Sequence, residues 1–298
     1  MSHPDGGSLK KKDIDKIHEA IARLRKDKNI VNRDIKDDVF NLLENECKVL
    51  NYPIHDSKLW AFYQKDKYED GSPRKFVFIN TNLPYEKQIF AAAHELAHIW
   101  GVASDTPEKL ISSSDDDSPI RMEEAVADDP SKDELIANRF AAEFLMNAET
   151  IKGMYKKWIQ NNDPLSSDDK RMDFILSLMD YYIAPYKMTV LRLEELGIIS
   201  SADAEKLLAV PRDGENSINH LQKRMGRCAR NNEITKTKKF ANFIDLAIQD
   251  YRKERITFSK MKQLMSIFGM TPEEMGISEE EDPQYFSSEE LEALAEDQ

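Results

Sequence analysis

His94, Glu95 and His98 stand together in the apolar run IFAAAHELAHIW. In a helix, histidines four residues apart project from one face a single turn apart, so two imidazole nitrogens can close on one divalent ion. Glu95, beside the first histidine, is placed to take a proton from water at that ion, the general-base role in zinc hydrolases of the H-E-x-x-H type. Around them Ile89, Phe90, Ala91, Ala92, Ala93, Leu96, Ala97, Ile99 and Trp100 are apolar almost all round, which predicts a buried helix. Two imidazoles and a carboxylate on such a helix need partners to offset their desolvation, and a metal with its ligand shell supplies them.

A tetrahedral catalytic zinc takes three protein ligands and keeps one position open. The candidate for the third ligand lies in DELIANRFAAEFLMN, Asp133 to Asn147, where Leu135, Ile136, Phe140, Ala141, Phe144 and Leu145 mark a second helix. Glu134 near its start and Asn138 one turn later share a face, so the glutamate could ligate a metal while the asparagine hydrogen-bonds a ligand. Taken alone, Glu134 reads equally as an acid that the helix dipole favours in a first turn.

The two segments together, HELAH and then ELIANRFAAEFLM, resemble the ImmA/IrrE family of metallo-endopeptidases, and the lead-in FVFINTNLPYEKQIF, a short strand ending in Asn before the active-site helix, is similar to that family too. The resemblance is specific over Lys75 to Asn147. It implies an α+β fold, a mostly helical zincin-like metallopeptidase domain with a small antiparallel sheet. It further implies Zn2+ held by His94, His98 and Glu134, with Glu95 as general base, and a protein substrate, a helix-turn-helix transcriptional repressor whose cleavage derepresses stress, phage or mobile-element genes. Ile136 stands where members often carry a second acid, which leaves Glu134 as the acid that matches.

The elements that must position these residues can be read outwards from the motif. Ile14, Ile17, Ile21 and Leu24 predict an amphipathic helix from Asp13 to Asn29; Ile35, Val39, Leu42, Leu43 and Cys47 predict a second. Leu59 to Gln64 and Lys75 to Asn80, rich in aromatic and β-branched residues about an Asp-Gly-Ser-Pro turn, predict an antiparallel hairpin. One of its strands could serve as a rail for an extended peptide, or the hairpin could merely cover the helix. Pro84 near the first turn opens the metal helix and Gly101 closes it. The acidic stretch 102–132 reads as a lid, a docking surface for a basic partner or a solvated connection. Tyr63, Tyr85 and Arg139 are candidates for an additional oxyanion donor.

Beyond Asn147 the pattern predicts an all-helical C-terminal region. It contains a helix-turn-helix-like element, with a turn at Ala184-Pro185 and a helix over Met188 to Leu196, whose nearly balanced charge favours packing over reading a DNA groove. The predicted organisation is a tail and helix over 1–30, the peptidase domain over 31–165, the helix-turn-helix-like module over 166–210 and a helical region over 211–298. In that last part Lys and Arg outnumber Asp and Glu from His220 to Lys262, a patch that could meet nucleic acid or the chain's own acids. The chain has 298 residues and a formal net charge of -13, which argues against a nucleic-acid coat. Two cysteines far apart, Cys47 and Cys228, imply neither a disulfide framework nor a thiolate zinc site. With neither a membrane-length apolar run nor a signal-peptide pattern, a cytoplasmic protein without membrane contact is expected. The alternative function is a non-proteolytic zinc-binding regulator that holds a repressor or DNA through its helical C-terminal half.

Overall fold

Apolar residues at helical spacing build the first helix, α1 (Lys11–Asp27), with Ile17, Ile21 and Leu24 buried. The computed structural model describes residues 9–31, 33–67, 73–103, 132–161, 167–214, 217–227, 233–240 and 243–277. The N-terminal tail, the hairpin turn, most of the acidic stretch after the metal helix, Cys228 and the acidic C-terminal tail lie outside the described residues.

A turn of 3-10 helix (Lys36–Asp38) leads into α2 (Val39–Glu46), which ends one residue before Cys47. Cys47 is extended and opens β1 (Lys48–Tyr52) instead of finishing the helical stripe. The expected hairpin is present as β2 (Ala61–Lys67) and β3 (Pro73–Asn80), paired antiparallel with Tyr63 opposite Val77. β1 joins the other side of β3 in parallel, from Lys48 opposite Phe76 to Tyr52 opposite Asn80. β4 (Lys239–Phe240) then pairs antiparallel with β1, giving the order β2-β3-β1-β4. The sheet is therefore mixed and four-stranded, where the sequence predicted only an antiparallel pair. The reason is physical: no turn residue separates α2 from β1, so Cys47 and Val49 extend the apolar pattern of the helix, and β4 is too short to show a period of two. β4 also interrupts the region expected to be wholly helical.

Alternation along the strands puts Val49, Ala61, Tyr63, Val77 and Ile79 on one face, all buried in the main core. α3 (Tyr85–Ile99) packs on β2 and β3, and α4 (Lys132–Leu145) packs on α3. Alanines make that close approach feasible, since Ala91, Ala92, Ala93 and Ala97 on one helix and Ala137, Ala141 and Ala142 on the other are wholly buried. Trp100 closes the far end, edge-on to Phe140 and Phe144.

The chain continues through α5 (Ala148–Asn161), α6 (Asp168–Tyr182), α7 (Tyr186–Glu195), α8 (Ser201–Leu208) and α9 (Ile218–Arg224). The turn between α6 and α7 falls at Ile183 to Pro185, where Ile183 takes a left-handed φ of 53° to end α6. α7 is buried along most of its length, Arg192 included. Contacts divide the chain into two compact units, Met1–Ala241 and Asn242–Gln298. The second contains α10 (Phe243–Arg252) and α11 (Phe258–Ile267) around Ala247, Ile248, Met261 and Met265. The architecture is α+β and mostly helical, and among the described residues no helix is long and apolar enough to cross a membrane.

Candidate metal centre

The connection from β3 to α3 sets where the histidines fall. Asn80, wholly buried at the end of β3, accepts at Oδ1 from the backbone N–H groups of Ile54 (2.9 Å) and Asn82 (3.0 Å). Its Nδ2 donates to the carbonyls of Asp56 (2.9 Å) and Leu59 (2.8 Å), so one side chain ties the exit of β1, the entry to β2 and the start of the turn. Pro84 caps α3, accepting from the N–H of Gln88 at 3.2 Å, and buried Gln88 donates back to the Leu83 carbonyl at 2.7 Å. A segment from far along the chain braces the same turn. Tyr85 N–H donates to the Glu233 carbonyl, Lys236 N–H to the Thr81 carbonyl, and Thr81 Oγ1 to the Thr237 carbonyl. At its other end α3 stops where Gly101 adopts φ 68° and Val102 N–H returns to the Ala97 carbonyl at 2.9 Å.

On the helix so fixed, His94 and His98 are buried, with their Nε2 atoms 3.2 Å apart. Glu134, from the first turn of α4, brings Oε2 to 3.1 Å from His94 Nε2 and Oε1 to 3.7 Å from His98 Nε2. These three residues form a cluster able to hold a metal ion, each offering one ligand atom. Asn138, buried one turn beyond Glu134, places Oδ1 2.8 Å from His94 Nδ1. With the amide oxygen accepting, His94 carries its proton on Nδ1, and its Nε2 lone pair faces the cluster.

The donor set fits a small divalent cation. Bonds of about 2.0–2.1 Å in a tetrahedron place ligand atoms about 3.3 Å apart; the two Nε2 atoms at 3.2 Å and the 3.1 Å from His94 Nε2 to Glu134 Oε2 lie close to that value, and the other carboxylate oxygen, Oε1, is 3.7 Å from His98 Nε2. Two imidazole nitrogens converging beside a carboxylate also require positive charge between them. Burial opposes charging of His94, yet hydrogen bonding to Glu134 and the nearby charges of Glu95 and Glu134 outweigh it and raise its pKa. Glu95 is buried and raised to about 7, chiefly by desolvation, with His94 lowering and Glu134 raising it. A divalent cation answers both demands by favouring the neutral imidazole and the ionised carboxylate.

The family comparison agrees with this geometry. The family model described as IrrE N-terminal-like domain, Peptidase_M78, matches residues 45–194, half of the chain. The chain belongs to the M78 peptidase family. No curated protein matches it. As an M78 member it has the zincin-like α+β domain expected from the sequence, and the match runs from the last residues of α2 to the last turn of α7, taking in both helices of the cluster. Membership in a metallopeptidase family implies a divalent metal, for which His94, His98 and Glu134 are the candidate ligands.

Two of the three oxyanion candidates are engaged elsewhere. Arg139 forms ion pairs with Glu143 and Glu195, and the Tyr85 hydroxyl lies 3.5 Å from Asp37 Oδ2. Tyr63 is buried in the α3-facing side of the sheet. Sequence reasoning missed Asn80, Gln88 and the bracing segment after Glu233, and it missed the ion-pair group that anchors α4. Arg192 of α7 reaches Glu143 Oε1 and Glu195 Oε2 at 2.9 Å each, and His18 of α1 meets Glu143 at 2.9 Å. The available signal was charge at core-facing positions, Glu143 and Arg192 each lying in an apolar helical stripe.

Proposed function

We propose that this M78 protein is a zinc-dependent endopeptidase, with His94, His98 and Glu134 as ligands, Asn138 orienting His94, and Glu95 as the general base. The observation that carries the reading is the convergence of one ligand atom each from buried His94, buried His98 and half-buried Glu134, with a desolvated carboxylate on the residue next to His94. A bound zinc supplies Lewis acidity, polarising a carbonyl oxygen and lowering the pKa of water. Glu95 then accepts the proton of the attacking water and can deliver it to the leaving amine. Asn138 holds the His94 ring in the tautomer that keeps Nε2 available. β2, an outer strand of the sheet that packs on α3, supports the rail reading of the hairpin, since an extended peptide can add to a strand edge through its backbone.

For the substrate we infer a helix-turn-helix transcriptional repressor, and for the location the cytoplasm, both on the family resemblance. The helix-turn-helix-like element of the chain itself is read as packing. Its second helix, α7, is largely buried, and the Arg192 charge is spent on Glu143 and Glu195.

The test is metal content by elemental analysis of wild type and Glu95→Gln, with cleavage of candidate repressors. One zinc per chain in both proteins with cleavage by wild type alone is the expected result. Equal effects of both proteins on repressor function, with zinc retained and no peptide bond cut, would favour the non-proteolytic regulator. Protein that binds no zinc when zinc is supplied in excess would overturn the reading.

A further inference from the structure

Neutral hydrogen bonds tie the root of α3 to residues beyond the family match. Tyr85 N–H donates to the Glu233 carbonyl at 2.9 Å, Lys236 N–H to the Thr81 carbonyl at 3.0 Å, and Thr81 Oγ1 to the Thr237 carbonyl at 2.7 Å. Gln88 Nε2 donates to Thr235 Oγ1 at 3.3 Å. Amides and hydroxyls of this kind hold alike in mild acid and mild base. Beside them stands a tie of another sort: Arg212 Nη2 donates to Glu86 Oε1 at 2.7 Å, and that bond depends on the charge of the acid.

The two partners are unequally placed. Glu86, in the first turn of α3, is 1% exposed, whereas Arg212 is 38% exposed. The second carboxyl oxygen, Oε2, is buried and has no hydrogen-bond partner among the described residues. Burial raises the carboxyl above its usual range; the Arg212 charge, the backbone N–H of Glu86, the Arg212 hydrogen bond and the Lys87 charge pull it down without cancelling the rise. Asp37, from the 3-10 turn before α2, is turned to the Tyr85 hydroxyl at 3.5 Å. Arg212 itself belongs to a turn closed at the start of α9, where the N–H groups of Ile218 and Asn219 donate to the Pro211 and Arg212 carbonyls at 2.9 and 3.1 Å. Its guanidinium therefore links the connection before α9 to the root of α3.

A fixed guanidinium–carboxylate clamp commonly engages both oxygens. This pair leaves one buried oxygen uncompensated, so the acid can be relieved in two ways, by the guanidinium when it is ionised or by a proton. We propose that Arg212 and Glu86 form a proton-gated tie, through which the connection before α9 grips the root of α3 when Glu86 is ionised and lets go when Glu86 is protonated. The direction follows from burial. A carboxyl raised in the folded chain keeps its proton to higher pH than in the unfolded chain, so the stability a neutral Glu86 contributes is whole below the ordinary 4.5 and is lost as pH rises through the raised value. Arg212 limits that loss, and its own contribution grows as the carboxylate forms. Acid thus frees Arg212 and leaves the neutral bonds at Thr81, Tyr85 and Gln88 in place. The tie acts on the seating of α3 whether or not the cluster of His94, His98 and Glu134 cuts peptides.

The experiment uses the full chain with zinc in excess, as wild type, Arg212→Met, Glu86→Gln and the double variant. Amide exchange at Gln88 and Asn219 is followed from about pH 4.5 to 8, relative to the intrinsic rate at each pH. Arg212→Met should speed exchange at Asn219 about tenfold at the upper end, where the charged hydrogen bond is whole, and leave it nearly unchanged at the lower end. With Glu86→Gln already in place, the same substitution should have a small effect without pH dependence. Arg212→Lys, which keeps the charge, should restore the pH dependence. Carbon NMR of the Glu86 carboxyl gives a direct reading, expected to titrate above the ordinary range in wild type and higher still in Arg212→Met. An Arg212→Met effect of one size at every pH, or one undiminished by Glu86→Gln, overturns the tie. So does a Glu86 carboxyl that titrates at or below the ordinary range.

Discussion

At the scale of single residues, the centre depends on side chains that never touch a substrate. Asn138 Oδ1 fixes the His94 tautomer from 2.8 Å. Asn138→Ala should weaken zinc binding about 10- to 100-fold, the usual cost of removing an outer partner of a ligand. Competition with a chromophoric chelator measures it, and unchanged affinity would refute the orienting role. Asn138→Asp, which keeps an acceptor oxygen, should retain most of the affinity. The candidate ligand set was legible in the sequence because helical spacing is enough to bring His94 and His98 together, the family pattern pointed to Glu134, and Asn138 follows one turn later on the same face. Asn80 was not legible in this sense. Its four hydrogen bonds go to residues up to 26 positions away, and local spacing carries no record of such partners.

Among the elements, α4 is held by charge as well as by packing. Glu143 lies about one and a half turns beyond Asn138 and receives Arg139 from its own helix, Arg192 from α7 and His18 from α1. Burial alone would raise Glu143, but Arg192 and Arg139, with hydrogen bonds from Arg192 and His18, pull it to about 2. Its folded pKa is thus below the ordinary 4.5, so the stabilisation is fully present above that pH and is lost as pH falls from about 4.5 through 2. Glu143→Gln should cost on the order of 3 kcal/mol near neutral pH. In urea titrations the gap from wild type should narrow steadily as pH falls below about 4.5; a gap independent of pH would show that ionisation is not what Glu143 contributes. Arg192→Leu, which leaves Glu143 and Glu195 short of their buried cation, should cost about 3–5 kcal/mol. The sequence announced α4 and α7 through their apolar stripes but concealed their joint charge, because the partners are 49 positions apart.

For the whole molecule, the family match ends at residue 194, yet the sheet and the root of α3 are completed by residues beyond it. Arg212 pairs with buried Glu86 at 2.7 Å, offsetting the burial that raises that carboxyl. Thr235 meets Gln88 at 3.3 Å, and β4 closes part of the β1 edge. A chain ending at Val210 would leave Glu86, Gln88 and several backbone groups without these partners, and at about 1 kcal/mol for each lost hydrogen bond it should be destabilised by several kcal/mol. Ending at Ala241 keeps them all, within the unit that closes there. That shorter chain should therefore retain stoichiometric zinc and unfold in urea with a midpoint close to that of the full chain, whereas the Val210 chain should show a lower midpoint and faster amide exchange at Tyr85 and Gln88. If the Val210 chain matched the Ala241 chain in stability and exchange, the peptidase domain would be complete at the family boundary and the bracing segment would be ornamental. The hydrogen bonds of Thr81, Tyr85 and Gln88 to that segment argue the opposite, that this chain recruits residues outside the shared domain to set the position of the helix bearing its two candidate histidine ligands.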